Sequence, residues 1–506
     1  MTDFTPLLKL YARRRRRKLG ALDEAAAQEQ QLQRLLATAA NTQFGREHGF
    51  GSITTVEDYQ KAVPLRRYDD FWKAYWQPKF PVIENVTWPG RVPYFAVTSG
   101  TTSGASKYIP VTQAMNRSNT QAGLDLFSHH VTHRPASRVF GGKSFMLGGS
   151  TDLVRQADGV WSGDLSGIAI KRLPWWAHQF AFPPIEYALL TDWEEKVAKL
   201  AKLAVETDIR VITGTPSWLF ILFDRQQANA GRAVSARELY PKLDLLVHGG
   251  VNFKPYRARF ETFLAGGAEL REVYPASEGF IALQDETPED GLRLITDNGL
   301  FFEFVPLEEL DSPRPTRHWV KTVETGVNYA IVLSTCSGCF GYVIGDTVRF
   351  ASRQPPRLFI TGRTSYSMSA FGEHLIGEEV EDAVSFAAAS KGLTINDFSM
   401  GAVFPASAGD LGGHLFVVEF ERVPAESVVQ AFASAIDVRL QERNDDYRAH
   451  RAEGFGMHAP KVRAVAPGTF SQWMKSRGRL GGQNKVPRII NDQTLFADLK
   501  RFSGGA

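Results

Sequence analysis

Cysteine is almost missing from this chain: 506 residues contain only Cys336 and Cys339. Two thiols build no disulfide framework, and a reducing cytosol is the simplest setting for such a composition, so a cytoplasmic protein is expected. An excess of either charge is missing too. Lys and Arg number 58 against 55 Asp and Glu, a formal net charge of +3, whereas a dedicated nucleic-acid binder carries a clear basic surplus. No uninterrupted apolar run reaches the length of a membrane span. The amino terminus has a short apolar stretch ahead of the basic run Arg13 to Lys18, the reverse of a secretory signal. That run reads as the solvated face of a helix rather than a patch for lipid or nucleic acid. Neither a membrane nor a nucleic acid is expected as a partner. Internal repeats and long low-complexity tracts are also missing.

What is present is an ordinary globular composition, 43% hydrophobic and 22% charged, long enough for two or more domains. Leu19, Leu22, Leu32, Leu35 and Leu36 recur at helical spacing near the start. From Pro89 the texture changes to short apolar runs between glycines and small polar residues. Tyr94 to Val97, Ser144 to Leu147, Arg210 to Thr213, Leu243 to Val247 and Ala330 to Ser334 predict buried strands. Helical patterns lie between them, such as Asp192 to Thr207 with Trp193, Val197, Leu200 and Ala204 on one face. Strands alternating with helices predict an α/β protein. A boundary falls near Gly362, ahead of the small polar stretch Ser365 to Gly372. Beyond it, Gly377 to Ala388 and Ala425 to Arg443 predict helices, and Gly412 to Phe420 alternates like a half-exposed strand. The expected fold is therefore α/β, with a large N-terminal domain of helix-flanked β-sheets over residues 1–362. A smaller, mobile α+β C-terminal domain covers residues 363–506.

Three separated segments carry the chemistry. In YFAVTSGTTSGASKYIP, Tyr94 to Pro110, a strand runs into the small residues Thr98 to Gly104, with Lys107 close behind. Small residues let backbone amides approach phosphate oxygens, hydroxyls add donors, and the lysine adds positive charge. The spacing is not that of a Walker loop: counting from Gly100, position 105 must be glycine and is alanine, and the lysine comes one place late. A Ser/Thr/Gly surface turn has the same composition; the strand before it and the lysine after it favour a phosphate loop. In LREVYPASEGF, Leu270 to Phe280, an apolar strand gives way to small residues and Glu278. A carboxylate there suits a magnesium ion bridging two phosphates, and equally suits a solvated strand end. In GYVIGDTVRF, Gly341 to Phe350, Asp346 follows a glycine at a bend. It offers the acceptors a ribose diol needs, and a turn-forming aspartate has the same pattern.

In this order, TSGTTSGASKYIP, YPASE and YVIGD resemble the three nucleotide motifs of the acyl acid amido synthetases, the auxin-responsive Gretchen Hagen family of the acyl-adenylate-forming superfamily. The likeness extends to NTQFGREHGF and AVPLRRYDDF near the start and to APKVRAVAPGTF and QNKVPR near the end, so it spans nearly the whole chain. The resemblance implies ATP and Mg2+ as cofactors and assigns roles to single residues. Ser99, Thr101, Thr102, Ser103, Gly104 and Lys107 surround the β- and γ-phosphates. Tyr274, Ala276, Ser277 and Glu278 flank the adenine and α-phosphate, with Glu278 near the metal. Asp346 holds the ribose, and the turn Gly249, Gly250, Val251 contacts adenine. Thr213, Thr215, Pro216 and Trp218 of TGTPSW line the acyl pocket. Arg363 marks the ATP-side hinge, and Lys485 reaches the carboxylate and α-phosphate. Two positions depart from the family's plant pattern: Pro275 replaces a small residue, and YVIGD lacks the basic residue after its tyrosine. The chain is also shorter than plant members, which fits a bacterial-type relative.

The implied reaction joins a small carboxylic acid to an amine, an amino acid being the expected acceptor. The carboxylate attacks the α-phosphate of ATP, giving an acyl-adenylate and pyrophosphate, and the amine then displaces AMP. No protein nucleophile is required; Lys485, Lys107 and Glu278 are the expected catalytic groups, acting by charge. The rivals are an acyl-CoA ligase with a thiol acceptor and a non-catalytic nucleotide-binding protein. The pair Cys336 and Cys339 lacks the second pair that a structural zinc needs and reads as buried structure. His129, His130 and His133 read as a helix end. Trp175, Trp176, Phe180 and Phe182 fit either an acyl-pocket wall or core packing.

Overall fold

The structure is a computed structural model that describes residues 2–99, 106–148, 153–188, 190, 193–250, 253, 256–364, 367–368, 370–371, 373, 375–404, 411–444, 447–448, 451, 457–478 and 485–504. The chain divides into two compact units. One comprises Met1–Val251 with Arg259–Phe359, the other Asn252–Ala258 with Ile360–Ala506. The short segment Asn252–Ala258 thus groups with the C-terminal part of the chain although it is far from it in sequence.

The first unit is α/β, as the alternation of patterns predicts. Among the described residues its main sheet has twelve strands. Glu269–Ala276, Leu245–Gly249, Ile209–Gly214, Lys143–Leu147 and Ala181–Phe182 lie side by side in that order and are parallel. Parallel strands are covered on both faces, so they read as continuous apolar runs; Leu245, Leu246 and Val247 are all buried. On the other side of Glu269–Ala276 the sheet continues antiparallel through Gly279–Leu283 and Leu292–Leu294. Beyond these come Pro356–Arg363, Tyr342–Arg353, Asn328–Thr335, Leu300–Pro306 and His318–Trp319. A second sheet has the order Ser106–Val111, Tyr94–Ser99, Val160–Gly163, Val154–Ala157.

The helical start of the chain resolves into Thr5–Gly20 and Glu24–Ala39. Asp23 separates them and caps the second, accepting from the backbone N–H groups of Ala25 and Ala26. The basic run is exposed at Arg13, Arg14, Arg16 and Arg17. Arg15 departs from the expected solvated face: it is buried and ion-paired at 2.6 Å to both Asp125 and Asp297. It fastens the first helix to Gln113–His133, the helix whose end contains the three histidines. His130 there is satisfied by Glu269 and Ser137. Cys336 and Cys339 are buried, and burial pushes the Cys336 thiol up to about 12. Phe180 and Phe182 are core residues packed on Phe140 and Phe145, whereas Trp175 is exposed. No described helix is long and apolar enough to cross a membrane.

The second unit is built on the sheet Lys461–Val465, Gly413–Phe420, Ile395–Val403, Ile489–Ile490. Gly413–Phe420 is buried along nearly its whole length rather than half-exposed. The reason is that both faces are covered. Phe416, Val418 and Phe420 pack in one cluster with the helices Gly377–Lys391 and Glu426–Arg443. Leu415 and Val417 pack in another with Thr469–Ser476 and Gln493–Gly504.

Arg488 ties this unit together. It is buried, ion-paired to Asp397 and, at 3.3 Å, to Glu381. It donates to the Phe398 carbonyl and to the Tyr256 hydroxyl, each at 2.9 Å. Its own carbonyl accepts from the backbone N–H of Met400. This anchor stands three residues after Lys485, which is exposed. Removing one member of a buried ion-paired group leaves the others uncompensated. Arg488→Ala is therefore expected to cost about 3–5 kcal/mol, read as a lower urea midpoint together with faster hydrogen exchange along Ile395–Val403. An unchanged midpoint would show that the group does not carry this load.

Candidate active site

Two of the three motif segments are presented at strand ends and the third at a bulge within a strand. Tyr94–Ser99 and Ser106–Val111 form an antiparallel pair with Thr98 opposite Lys107 and Ser99 opposite Ser106. The small-residue segment is the connection between them. Thr101, Thr102, Ser103 and Gly104, and likewise Val251, lie outside the described residues. Lys107 is half-buried, its ammonium 5.4 Å from the centre of the Tyr68 ring, a separation at which the ring face attracts a cation. The Tyr68 hydroxyl in turn accepts from the Tyr108 backbone N–H at 2.9 Å.

In the second segment Ala276 pairs with Gly279, so Ser277 and Glu278 form the tight turn between Glu269–Ala276 and Gly279–Leu283. Both turn residues are buried. A Cβ at position 279 would come within 2.7 Å of the Leu300 side chain, so glycine fits there without displacing that leucine. The Glu278 carboxylate accepts a hydrogen bond from the Tyr342 hydroxyl. Burial pushes the Glu278 carboxyl above its usual range; the Tyr342 bond and the Lys107 charge pull it down, and the Asp346 charge pushes it further up.

The third segment owes its shape to an irregularity in pairing. Ala330 faces Thr347 and Val332 faces Val343, so extra residues of Tyr342–Arg353 bulge out between those pairs. Gly345 sits in the bulge at φ 94°, a conformation that glycine adopts without strain. The bulge re-aims Asp346, whose Oδ2 accepts from the Tyr274 hydroxyl at 2.6 Å. Asp346 and Tyr274 are both buried.

The fold thus brings Lys107, Tyr274, Glu278 and Asp346 to one place from three parts of the chain. The Gly249 and Gly250 turn is adjacent: Gly249 pairs with Val273, next to Tyr274. A side chain at 249 would collide with the Val273 carbonyl, and Gly250 has φ 84°. Thr213 is the penultimate residue of the strand Ile209–Gly214, and Thr215 leads into the helix Pro216–Ala230, where proline at the first position needs no N–H partner. Thr213, Thr215 and Trp218 are partly exposed, and Pro216 is buried. Arg363 and Lys485 belong to the second unit. Two tyrosines in the site carried no role from sequence, Tyr68 and Tyr342. Their hydroxyls look like ordinary strand or helix aromatics until the partners are known.

Three family models match in chain order. Residues 21–160 match the GH3 family N-terminal domain, 293–363 the central domain and 378–494 the C-terminal domain. Together they take in roughly two-thirds of the chain. The chain belongs to the GH3 family. Among relatives of this GH3 protein, a jasmonoyl–L-amino acid synthetase of Oryza sativa subsp. japonica is 22% identical over 560 residues, covering 93% of both chains. An indole-3-acetic acid-amido synthetase of Arabidopsis thaliana is 23% identical over 262 residues, covering 49% of this chain and 43% of its own. A solved acyl acid amido synthetase, GH3.15 in complex with 2,4-DB, superposes with a TM-score of 0.81 at 18% identity, covering 99% and 97%. A 2-hydroxyisobutyryl-CoA ligase in its postadenylation state gives 0.63 at 17% identity, covering 95% and 92%. Those two likenesses establish a common fold.

Proposed function

We propose that this GH3 protein activates a carboxylic acid with ATP as its acyl-adenylate and passes the acyl group to the amine of an amino acid. AMP and pyrophosphate are the by-products. The observation that carries the reading is the meeting of Lys107, Glu278 and Asp346, with Tyr274 bonded to Asp346 and Tyr342 to Glu278. A cation, an acidic group and a diol acceptor in one place match the phosphates, metal and ribose of a nucleotide. Lys107 and the backbone amides of the small-residue segment offset charge as one anion approaches another. Glu278 is a hard oxygen ligand, and Mg2+ usually takes one or two carboxylates with substrate phosphates and water. The buried carboxylate at the Ser277 and Glu278 turn fits that donor set, and the ion would neutralise phosphate charge there.

The C-terminal part, from Arg363 on, supplies Lys485 for adenylation and swivels between the two half-reactions. In this reading the protein is a bacterial-type, compact member of its family, working in the cytoplasm. The test gives the full chain ATP, Mg2+ and a panel of carboxylic acids that includes jasmonic and indole-3-acetic acids, and follows carboxylate-dependent ATP–pyrophosphate exchange. Amino acids and CoA are then offered as acceptors. Exchange followed by amide formation is the expected result. A thioester without amide would replace the acceptor, and no exchange with any acid would leave only nucleotide binding.

A further inference from the structure

Acyl transfer needs a group that takes the proton of the incoming ammonium, and none of the residues placed above does so. We propose that Asp164 binds the acceptor's ammonium group and takes its proton. The inference rests on the adenylation reading and deepens it.

Asp164 directly follows the strand Val160–Gly163. That strand is parallel to Tyr94–Ser99, with Ala96 opposite Gly163. Asp164 therefore leaves the sheet beside Val97, at the edge from which the small-residue segment departs. At ~3.3 Å per residue and ~4.8 Å between strands, its backbone lies about 8 Å from that of Ser99. On its other side, Ser166 packs against the end of Lys143–Leu147: a Cβ on Gly148 would lie 2.9 Å from the Ser166 side chain. Leu147 pairs with Gly214, the strand end that opens into TGTPSW. Asp164 thus stands between the strand end assigned to phosphate and the one assigned to the acyl group. The carbonyl of an acyl-phosphate has to lie between those two.

Among the described residues the carboxylate makes no hydrogen bond. Asp164 precedes the helix Leu165–Lys171 where an aspartate commonly caps, yet it makes no cap hydrogen bond. No other described residue bonds to it, although it is half-buried. Asp164 is only half-buried, so its carboxylate keeps access to solvent and to an arriving ammonium group. Burial pushes its carboxyl up to about 6, and the charge of Lys196 on Trp193–Leu203 pulls it back. Lys196 is the charged side chain that acts on it from the packed elements; the Lys196 ammonium also donates to the Ala188 carbonyl at 3.0 Å. A carboxylate of this kind is ionised at neutral pH and still basic enough to accept a proton.

In the step, the ammonium transfers one proton to Asp164 and the freed amine attacks the adenylate carbonyl carbon. The bond from that carbon to the phosphate oxygen breaks, its electron pair leaving with AMP. The second nitrogen proton goes to water or to the departing phosphate as the amide forms. A thiol brings no cation, so this arrangement favours an amine acceptor.

The experiment is Asp164→Asn in the full chain. Amide formation should fall about 100-fold, whereas pyrophosphate exchange, which involves no amine, should stay within about threefold of wild type. Wild-type amide formation should decline as pH drops below about 6, and Asp164→Asn should lose that limb. Lys196→Met should move the limb to higher pH, because the charge that keeps the carboxyl down is removed. Unchanged amide formation, or exchange lost in parallel with it, would overturn the proposal. Absence of exchange in the wild type with every acid would instead sink the adenylation reading beneath it.

Discussion

Glu278→Gln is expected to lower carboxylate-dependent pyrophosphate exchange about 100-fold while raising the thermal midpoint by roughly 1–3 °C. The two effects have one origin. Glu278 is buried in a tight turn, and its carboxyl is pushed up chiefly by burial. Holding its charged form there carries a cost, which metal and phosphates offset in the proposed reaction. Glutamine keeps an acceptor for Tyr342 and removes the charge. The sign follows from linkage: a carboxyl whose folded pKa lies above its unfolded one favours folding below the unfolded value. That contribution is lost as pH rises through the folded value. At any pH above the unfolded value the wild type bears part or all of that cost, and the variant melts higher there. Well below the unfolded value, about 4.3, both side chains are neutral in both states, and the difference should close. The residual exchange of the variant should also need more Mg2+. Full exchange in the variant, or a lower midpoint near neutral pH, would remove Glu278 from the charge machinery.

Lys485→Ala should reduce exchange by about 10²–10³-fold, the scale lost when a charge that stabilises a developing anion is removed. The side chain is exposed and its backbone is held three residues later by Arg488, so the substitution should leave the unfolding midpoint within the small range of surface changes. A synthetic acyl-adenylate offered with an amino acid should still give amide, because the proposed role ends once pyrophosphate has left. This pattern is the mirror image of the one expected for Asp164→Asn. Exchange at the wild-type rate would exclude Lys485 from the first half-reaction; loss of both half-reactions would point to a role in placing the whole C-terminal unit.

Part of the fold was legible because the strands from Glu269–Ala276 to Ala181–Phe182 are parallel and covered on both faces, which leaves an uninterrupted apolar signature such as Leu245 to Val247. Where legibility failed, the cause was packing that a local pattern does not contain. Gly413–Phe420 reads as half-exposed until helices are known to cover both faces. Arg15 reads as one member of a solvated run until Asp125 and Asp297 arrive from positions far along the chain. The candidate site divides the same way. Lys107, Glu278 and Asp346 were visible because small residues and glycines beside a charge mark close approach to a ligand. Tyr342 and Asp164 were not, since a tyrosine in a strand and an aspartate before a short helix have ordinary structural explanations.

By itself, then, the order of residues pointed to the family, the α/β class and the three segments that bear the candidate charges, because those depend on local spacing and chemical type. Only the tertiary structure decided which side chains meet: that Tyr274 bonds Asp346, that Tyr342 bonds Glu278, and that Asp164 makes no cap hydrogen bond to its own helix. Such contacts join residues tens to hundreds of positions apart, and strand order, register and the bulge at Gly345 set them. No short stretch of sequence contains that information.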